Sequence, residues 1–139
     1  MRCFAGNPDG SAFASTDGMT PAELKQRTKT FAVDVVKFAK TLITEDIALA
    51  HVARQLVRCG TAVGANYRAS CRAKSTADFI SKMTTVEEEA DETLYWLELL
   101  VDSGAVPSQR VAGLTNEAEQ LLRIVVASIK TSRGGQGRS

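Results

Sequence analysis

Side chains able to do acid–base, metal or nucleophilic chemistry are few and scattered in this chain. His51 is the only histidine, and Ala48 stands three residues before it, so the Glu-x-x-His spacing that lets bundle helices build di-metal sites is missing. The run Glu87, Glu88, Glu89, Asp91 and Glu92 supplies carboxylates. A helix turns about 100° per residue, which spreads them round its circumference rather than onto one cation, and such a run reads as a solvated face. Cys3, Cys59 and Cys71 are odd in number and form no CxxC pair, so neither a zinc site nor a disulfide framework is expected. Nucleophile-elbow, P-loop and dinucleotide signatures are absent from the sequence, so those chemistries lack their starting residues. No catalytic, cofactor-binding or metal-ligating residue is predicted, and the chain reads as a non-enzyme.

The pattern that does carry chemistry is cationic. On a helical wheel Arg54, Arg58, Arg68 and Arg72 fall within about 80° of one another, opposite an apolar stripe. Lys74 and Lys82 extend this ridge. A guanidinium fork matches phosphate and carboxylate equally well. The six residues are therefore candidate contacts to RNA, DNA or an acidic protein partner, with ion pairing inside the protein or between subunits as the competing reading. From Glu87 to Asp102 the chain carries seven acids and no base, so charge is segregated. The totals nearly cancel, with 17 Lys and Arg against 16 Asp and Glu, and any polyanion binding must come from a local patch. Tyr67 is the one aromatic among the arginines, whereas single-strand binders interleave stacking rings with their cations. Tyr95 and Leu99, with Trp96 at their flank, point away from the core stripe of their helix and form a candidate oligomer interface; the competing reading has a neighbouring helix covering them.

Four amphipathic helices position these residues. Thr20-Pro21-Ala22-Glu23 is a helix start, with Thr20 as cap and Pro21 in the first turn, and Leu24, Thr28, Phe31, Val35, Phe38 and Leu42 follow at helical spacing to an end near Leu42 or Ile43. The spacing predicts a second helix from about Asp46 to Arg72, burying Leu49, Val52, Leu56, Cys59, Val63 and Tyr67. Gly60 and Gly64 lie inside it, each costing about 1 kcal/mol relative to Ala, which points to a close helix–helix approach on their flank. The third runs from a Ser75 cap to Gly104 and buries Phe79, Met83, Val86, Ala90, Leu94, Leu97 and Val101. The fourth follows a Ser108 cap, with Val111, Leu114, Ala118, Leu121, Val125 and Ser128 or Ile129 inward. Short connections between such helices predict an all-α, antiparallel up-down-up-down four-helix bundle.

Residues 1–18 read as a disordered leader, with Met19 as an alternative start, residues 19–131 as the bundle, and residues 132–139 as a disordered tail. Neither a membrane span nor a secretory signal is legible, so a cytoplasmic setting is expected.

Gln55-Leu56-Val57-Arg58, Gly64-Ala65-Asn66-Tyr67-Arg68-Ala69, Asp78-Phe79-Ile80, Glu88-Glu89-Ala90-Asp91-Glu92 and Tyr95-Trp96-Leu97-Glu98-Leu99-Leu100 together resemble the bacterial four-helix-bundle proteins encoded by intervening sequences of 23S ribosomal RNA genes. The resemblance covers roughly Thr20 to Lys130. It implies an up-down bundle, a homopentameric ring and no established catalytic activity. The accessory variability determinant of diversity-generating retroelements looks similar as well, but it is a strongly basic pentamer that binds a reverse transcriptase and nucleic acid. The near-neutral charge of this chain departs from that relative, so its role is not carried over. Where many members read Asn-Ile-Ala-Glu-Gly, this chain has Asn66-Tyr67-Arg68-Ala69-Ser70.

Overall fold

Helix starts in this protein are set by side chains that accept hydrogen bonds from first-turn N–H groups, which have no partner within the helix. Thr20 accepts from the Glu23 N–H at 3.1 Å ahead of α1 (Pro21–Lys40). Asp46 accepts from Leu49 N–H at 2.9 Å ahead of α2 (Ile47–Ser70), and Ser75 accepts from Asp78 N–H at 3.0 Å ahead of α3 (Thr76–Asp102). The fourth helix, α4, spans Ser108–Gly137. The structure, a computed structural model, describes residues 18–42 and 45–137. Among the described residues there is no strand, and the architecture is all-α with four helices.

The end of α3 shows why Gly104 is there. Its φ is +79°, a left-handed conformation that a Cβ disfavours. The Ala105 N–H donates to the Leu100 carbonyl and the Gly104 N–H to the Val101 carbonyl, both at 3.0 Å. This Schellman closure satisfies two otherwise orphaned carbonyls.

Side chains from all four helices form one core, with Phe31, Leu56, Phe79, Met83, Leu97, Leu100 and Leu121 among the fully buried. Three buried hydroxyls are satisfied inside their own helices, Thr28 donating to the Leu24 carbonyl at 2.9 Å, Ser70 to Tyr67 at 2.6 Å and Thr93 to Glu89 at 2.8 Å, whereas the buried Ser132 hydroxyl has no partner among the described residues.

Several boundaries differ from the sequence expectation. The first helix ends at Lys40, and Leu42 reaches the core from the turn that follows it. Helix α2 closes at Ser70 with Cys71 as its cap. Ser108 is the first residue of α4 rather than its cap. On α3 the deeply buried position near the end is Leu100, while Val101 and, on α2, Leu49 are only partly buried. The tail expected from Ser132 is corrected: α4 continues to Gly137, and Ser132 is 4% exposed. The reason is periodic, since Ser132 lies eleven residues after Leu121 and so falls on the inward stripe of Val125, Ser128 and Ile129. The leader residues 1–17 and the final residues 138–139 lie outside the described residues.

Gly60 and Gly64 face α1. A Cβ on Gly60 would stand 2.7 Å from Val35 Cγ1, and a Cβ on Gly64 would stand 3.2 Å from the Thr28 carbonyl oxygen. Gly113, inside α4, has nothing within 4 Å of a hypothetical Cβ. Three Gly→Ala substitutions therefore have opposite signs. Gly113→Ala is expected to stabilise by about 1 kcal/mol, the ordinary helix-propensity gain. In Gly60→Ala the same gain is overridden by a clash with a stiff β-branched side chain, for a net loss of about 1–3 kcal/mol. Gly64→Ala presses on backbone and is also destabilising. Urea melts of the three variants check the order, and a Gly60→Ala protein as stable as Gly113→Ala refutes the close approach.

Candidate functional site

Helix α2 contains no acidic residue between Ile47 and Ser70, whereas α3 carries Lys82 as its one base among eight acids. The two helices pack side by side, and Arg58 bridges them. It donates through Nη1 to Glu89 Oε1 at 3.3 Å, through Nη2 to Glu92, and through Nε to Gln55 Oε1 at 3.0 Å. Glu92 also accepts from Trp96 Nε1 at 3.0 Å. That indole hydrogen bond, followed by the bond from Arg58, holds the Glu92 carboxyl below its ordinary range. The Arg58 guanidinium is pushed up, chiefly by its bond to Glu92.

The predicted ridge thus divides. Arg54 and Arg68 are exposed on α2 and form no ion pair among the described residues. Arg58 is engaged by α3. Arg72 lies in the turn just beyond the last residue of α2, its N–H donating to the Ala69 carbonyl at 3.0 Å. Lys74 and Lys82 gather round one carboxylate: the Lys74 backbone N–H donates to Asp78 Oδ2 at 2.9 Å, and Lys82 Nζ lies 2.6 Å from Asp78 Oδ1. Asp78 is held below its usual value by those bonds, Lys82 first.

Helix α1 also supplies cations to this face. Along the seam between α1 and α2, a cavity of about 360 Å³ is lined by Lys25 and Lys29 from α1 and by Gly64, Ala65 and Arg68 from α2. Further along the same seam, a groove of about 540 Å³ is floored by Val36, Ala39, Ala53 and Val57 and rimmed by Lys40, Arg54 and Arg58. The legible signal was the glycine pair, which fixes which face of α1 meets α2. Arg27 was missed as well. It forms a bidentate pair with Glu117 at 2.7 and 2.8 Å and reaches Gln120 at 2.7 Å, tying α1 to α4.

The predicted interface cluster is also divided. Tyr95 is 57% exposed. Trp96 is partly buried, with edge contacts to Tyr95 and His51 at centroid distances of 5.0 and 5.7 Å, and Leu99 packs against the core. Burial pushes up both the Cys59 thiol and the Tyr67 hydroxyl, so neither is poised as a nucleophile at neutral pH. Against the expectation of no disulfide, Cys71 is disulfide-bonded, its other half lying outside the described residues. Among the described residues no group of three or more His, Cys, Asp or Glu converges as for a metal, and no helix is long and apolar enough to cross a membrane.

These features define a four-helix all-α protein with cations gathered along one helix–helix seam and acids along a third helix. The family described as 23S rRNA-intervening sequence protein matches residues 21–127, and the chain belongs to that family. A crystal structure of a protein of unknown function from the S23 ribosomal protein family of Bacteroides thetaiotaomicron is similar over 77% of this chain and 98% of that one, with 33% identity and a TM-score of 0.70. No curated protein matches.

Because the folded Glu92 carboxyl is depressed, its stabilising contribution is fully present above its ordinary value of 4.5 and is lost as pH falls through the lower folded value. Trp96 is the only tryptophan and reports this titration directly. Its fluorescence midpoint in acid is expected to lie below the ordinary carboxylate value and to move upward in Arg58→Gln, and an unmoved midpoint refutes the coupling.

Proposed function

We propose that this protein is a non-enzymatic, homo-oligomeric binding protein whose α1–α2 face engages nucleic acid. The observation that carries the reading is the seam itself: an acid-free α2 with exposed Arg54 and Arg68, set beside the lysines of α1. Phosphate neutralisation by a few such cations is sufficient for sequence-independent binding. The underlying fold in this reading is an antiparallel up-down-up-down bundle. It is supported by the α1–α2 register, in which Gly60 meets Val35 while the later Gly64 meets the earlier Thr28, and by connections as short as residues 41–46, 71–75 and 103–107. The homopentameric ring comes from the family resemblance.

A second reading, a structural scaffold without nucleic-acid binding, is favoured by a different observation. The outward stripe of α3 reads Glu88, Asp91, Tyr95, Glu98 and Asp102, all exposed, and it complements the apolar, Arg54-rimmed groove in charge and shape. A neighbour's stripe on that groove is a head-to-tail contact, which closes into a ring when the rotation allows.

In gel retardation with a hairpin RNA, three phosphate contacts give an affinity that falls roughly 40-fold between about 50 and about 200 mM salt; no retardation at low salt removes nucleic acid from the account. Light scattering separates the second reading. Arg54→Glu and Tyr95→Glu are expected to lower the oligomer mass if the groove is the subunit contact. If Arg54→Glu weakens RNA retention at unchanged mass, the scaffold reading fails.

A further inference from the structure

We infer that the groove between α3 and α4 is a docking surface for the outward face of α1 of a second copy of this chain; this rests on the homo-oligomeric reading above and gives it a contact. The groove, of about 430 Å³, is floored by Leu97, Val101 and Val111 and edged by the carboxylates of Glu98, Asp102 and Glu119, and its other lining residues are uncharged. None of the three carboxylates is in an ion pair among the described residues. Arg110, the first base of α4, is engaged elsewhere: it donates to the Thr41 hydroxyl and stands over the Phe38 ring, 5.4 Å from its centroid. Asp102 is the last residue of α3, and the last turn holds no base, whereas the negative end of a helix dipole favours cations. Negative charge is thus gathered where the helix itself opposes it, and a cation brought from outside relieves the conflict.

Among the described residues no group of acids converges as for a metal ion, and the floor between these carboxylates is apolar. Lysines suit such a surface, since the aliphatic stem lies on apolar side chains while the ammonium reaches a carboxylate. The chain itself presents that chemistry. On α1, Lys29, Val33, Lys37 and Lys40 are all exposed and fall within about 80° of one another, opposite the core stripe. Val33, at 43% exposed, is one of three large hydrophobic residues left to solvent among the described residues. Asp34 is exposed as well, but it falls about 60° outside the stripe. The two surfaces also match in length. Lys40 stands eleven residues after Lys29, and Glu119 eleven after Ser108 at the far end of the groove, about 16 Å of helix in each case. Stripe and groove are different surfaces, so the contact is head-to-tail and every copy offers both halves. It is distinct from a contact at the Arg54-rimmed groove, which Lys29 and Lys37 do not line.

Light scattering of the full chain at low ionic strength, where screening is weakest, tests the contact with two charge-reversed pairs: Lys29→Glu with Lys37→Glu, and Asp102→Lys with Glu119→Lys. All four positions are exposed, Asp102→Lys places a favourable charge at the end of α3, and circular dichroism verifies each fold. The wild type is expected to run well above the mass of one chain, 14.9 kDa, and each reversed pair to fall to that mass. The chain carrying all four substitutions is expected to recover the wild-type mass, a result that requires the two faces to meet each other. With an oligomeric wild type, a reversed pair that keeps its mass, or a fourfold variant that stays monomeric, overturns the contact and leaves the homo-oligomeric reading in place. A wild type that is monomeric at low salt overturns both. Loss of mass in Arg54→Glu with no loss in either reversed pair assigns the contact to the Arg54-rimmed groove and overturns this one.

Discussion

Contact between α1 and α2 at Gly60 and Gly64 is the constraint on which the arrangement of the rest depends. Each glycine gives up about 1 kcal/mol of helix propensity relative to Ala. In return Val35 and the Thr28 carbonyl come within distances that a Cβ would not permit, and Val35 is left with no exposed surface. Dispersion contacts of this kind are individually small and collectively large. The close crossing also fixes which residues border the seam on either side. Toward Lys40 it opens into the apolar groove, and toward Lys25 into the cationic cavity. A wider α1–α2 spacing would separate the lysines of α1 from Arg68 and leave both as ordinary solvated surface.

Polar interactions divide into those that tie helices together and those that leave charge for a partner. Arg27 with Glu117 is the best formed tie, bidentate and with both side chains about a quarter exposed, at 25% and 29%. Arg58 with Glu89 and Glu92 is more open, its guanidinium 48% exposed, so solvent screening leaves it a modest contribution to stability. Its larger effect is on arrangement: it orients Glu92 toward Trp96 and holds α3 beside α2. Helix α3 has one base in its own sequence and is not neutralised along its outer face, so the acids beyond Glu92 remain available to a neighbour.

The helices and their buried faces were legible because helical periodicity is a property of one strand of sequence. Leu24 through Leu42 and Phe79 through Leu97 fall on single stripes, and the burial follows them. The glycine pair was legible for the same reason, since two costly residues at i,i+4 within a helix imply a neighbour pressed against that flank. What was not legible depends on which helix stands across from which. Arg58 and Arg54 look alike on a wheel, yet only Arg58 has Glu89 and Glu92 within reach. Lys25 and Lys29 look like solvated surface until the register of α1 against α2 places them beside Arg68. The closing of α2 at Ser70, two residues before Arg72, is a boundary that no strong stop residue announces.

A near-neutral protein with segregated charge behaves differently toward polyanions than a basic one does. Packed helices lie about 8–10 Å apart, close to the Debye length of about 8 Å at physiological ionic strength. Under those conditions the acids of α3 barely reach an anion seated in the α1–α2 seam, and the local cations act almost alone. At low salt the screening length grows past the helix spacing, and α3 opposes the approach of the same anion. The segregation therefore gives up long-range steering and keeps short-range contact. On the proposed reading it also sets orientation, because a polyanion that strays from the seam toward α3 comes within the screening length of its acids and is repelled, so it runs along the seam rather than around the bundle.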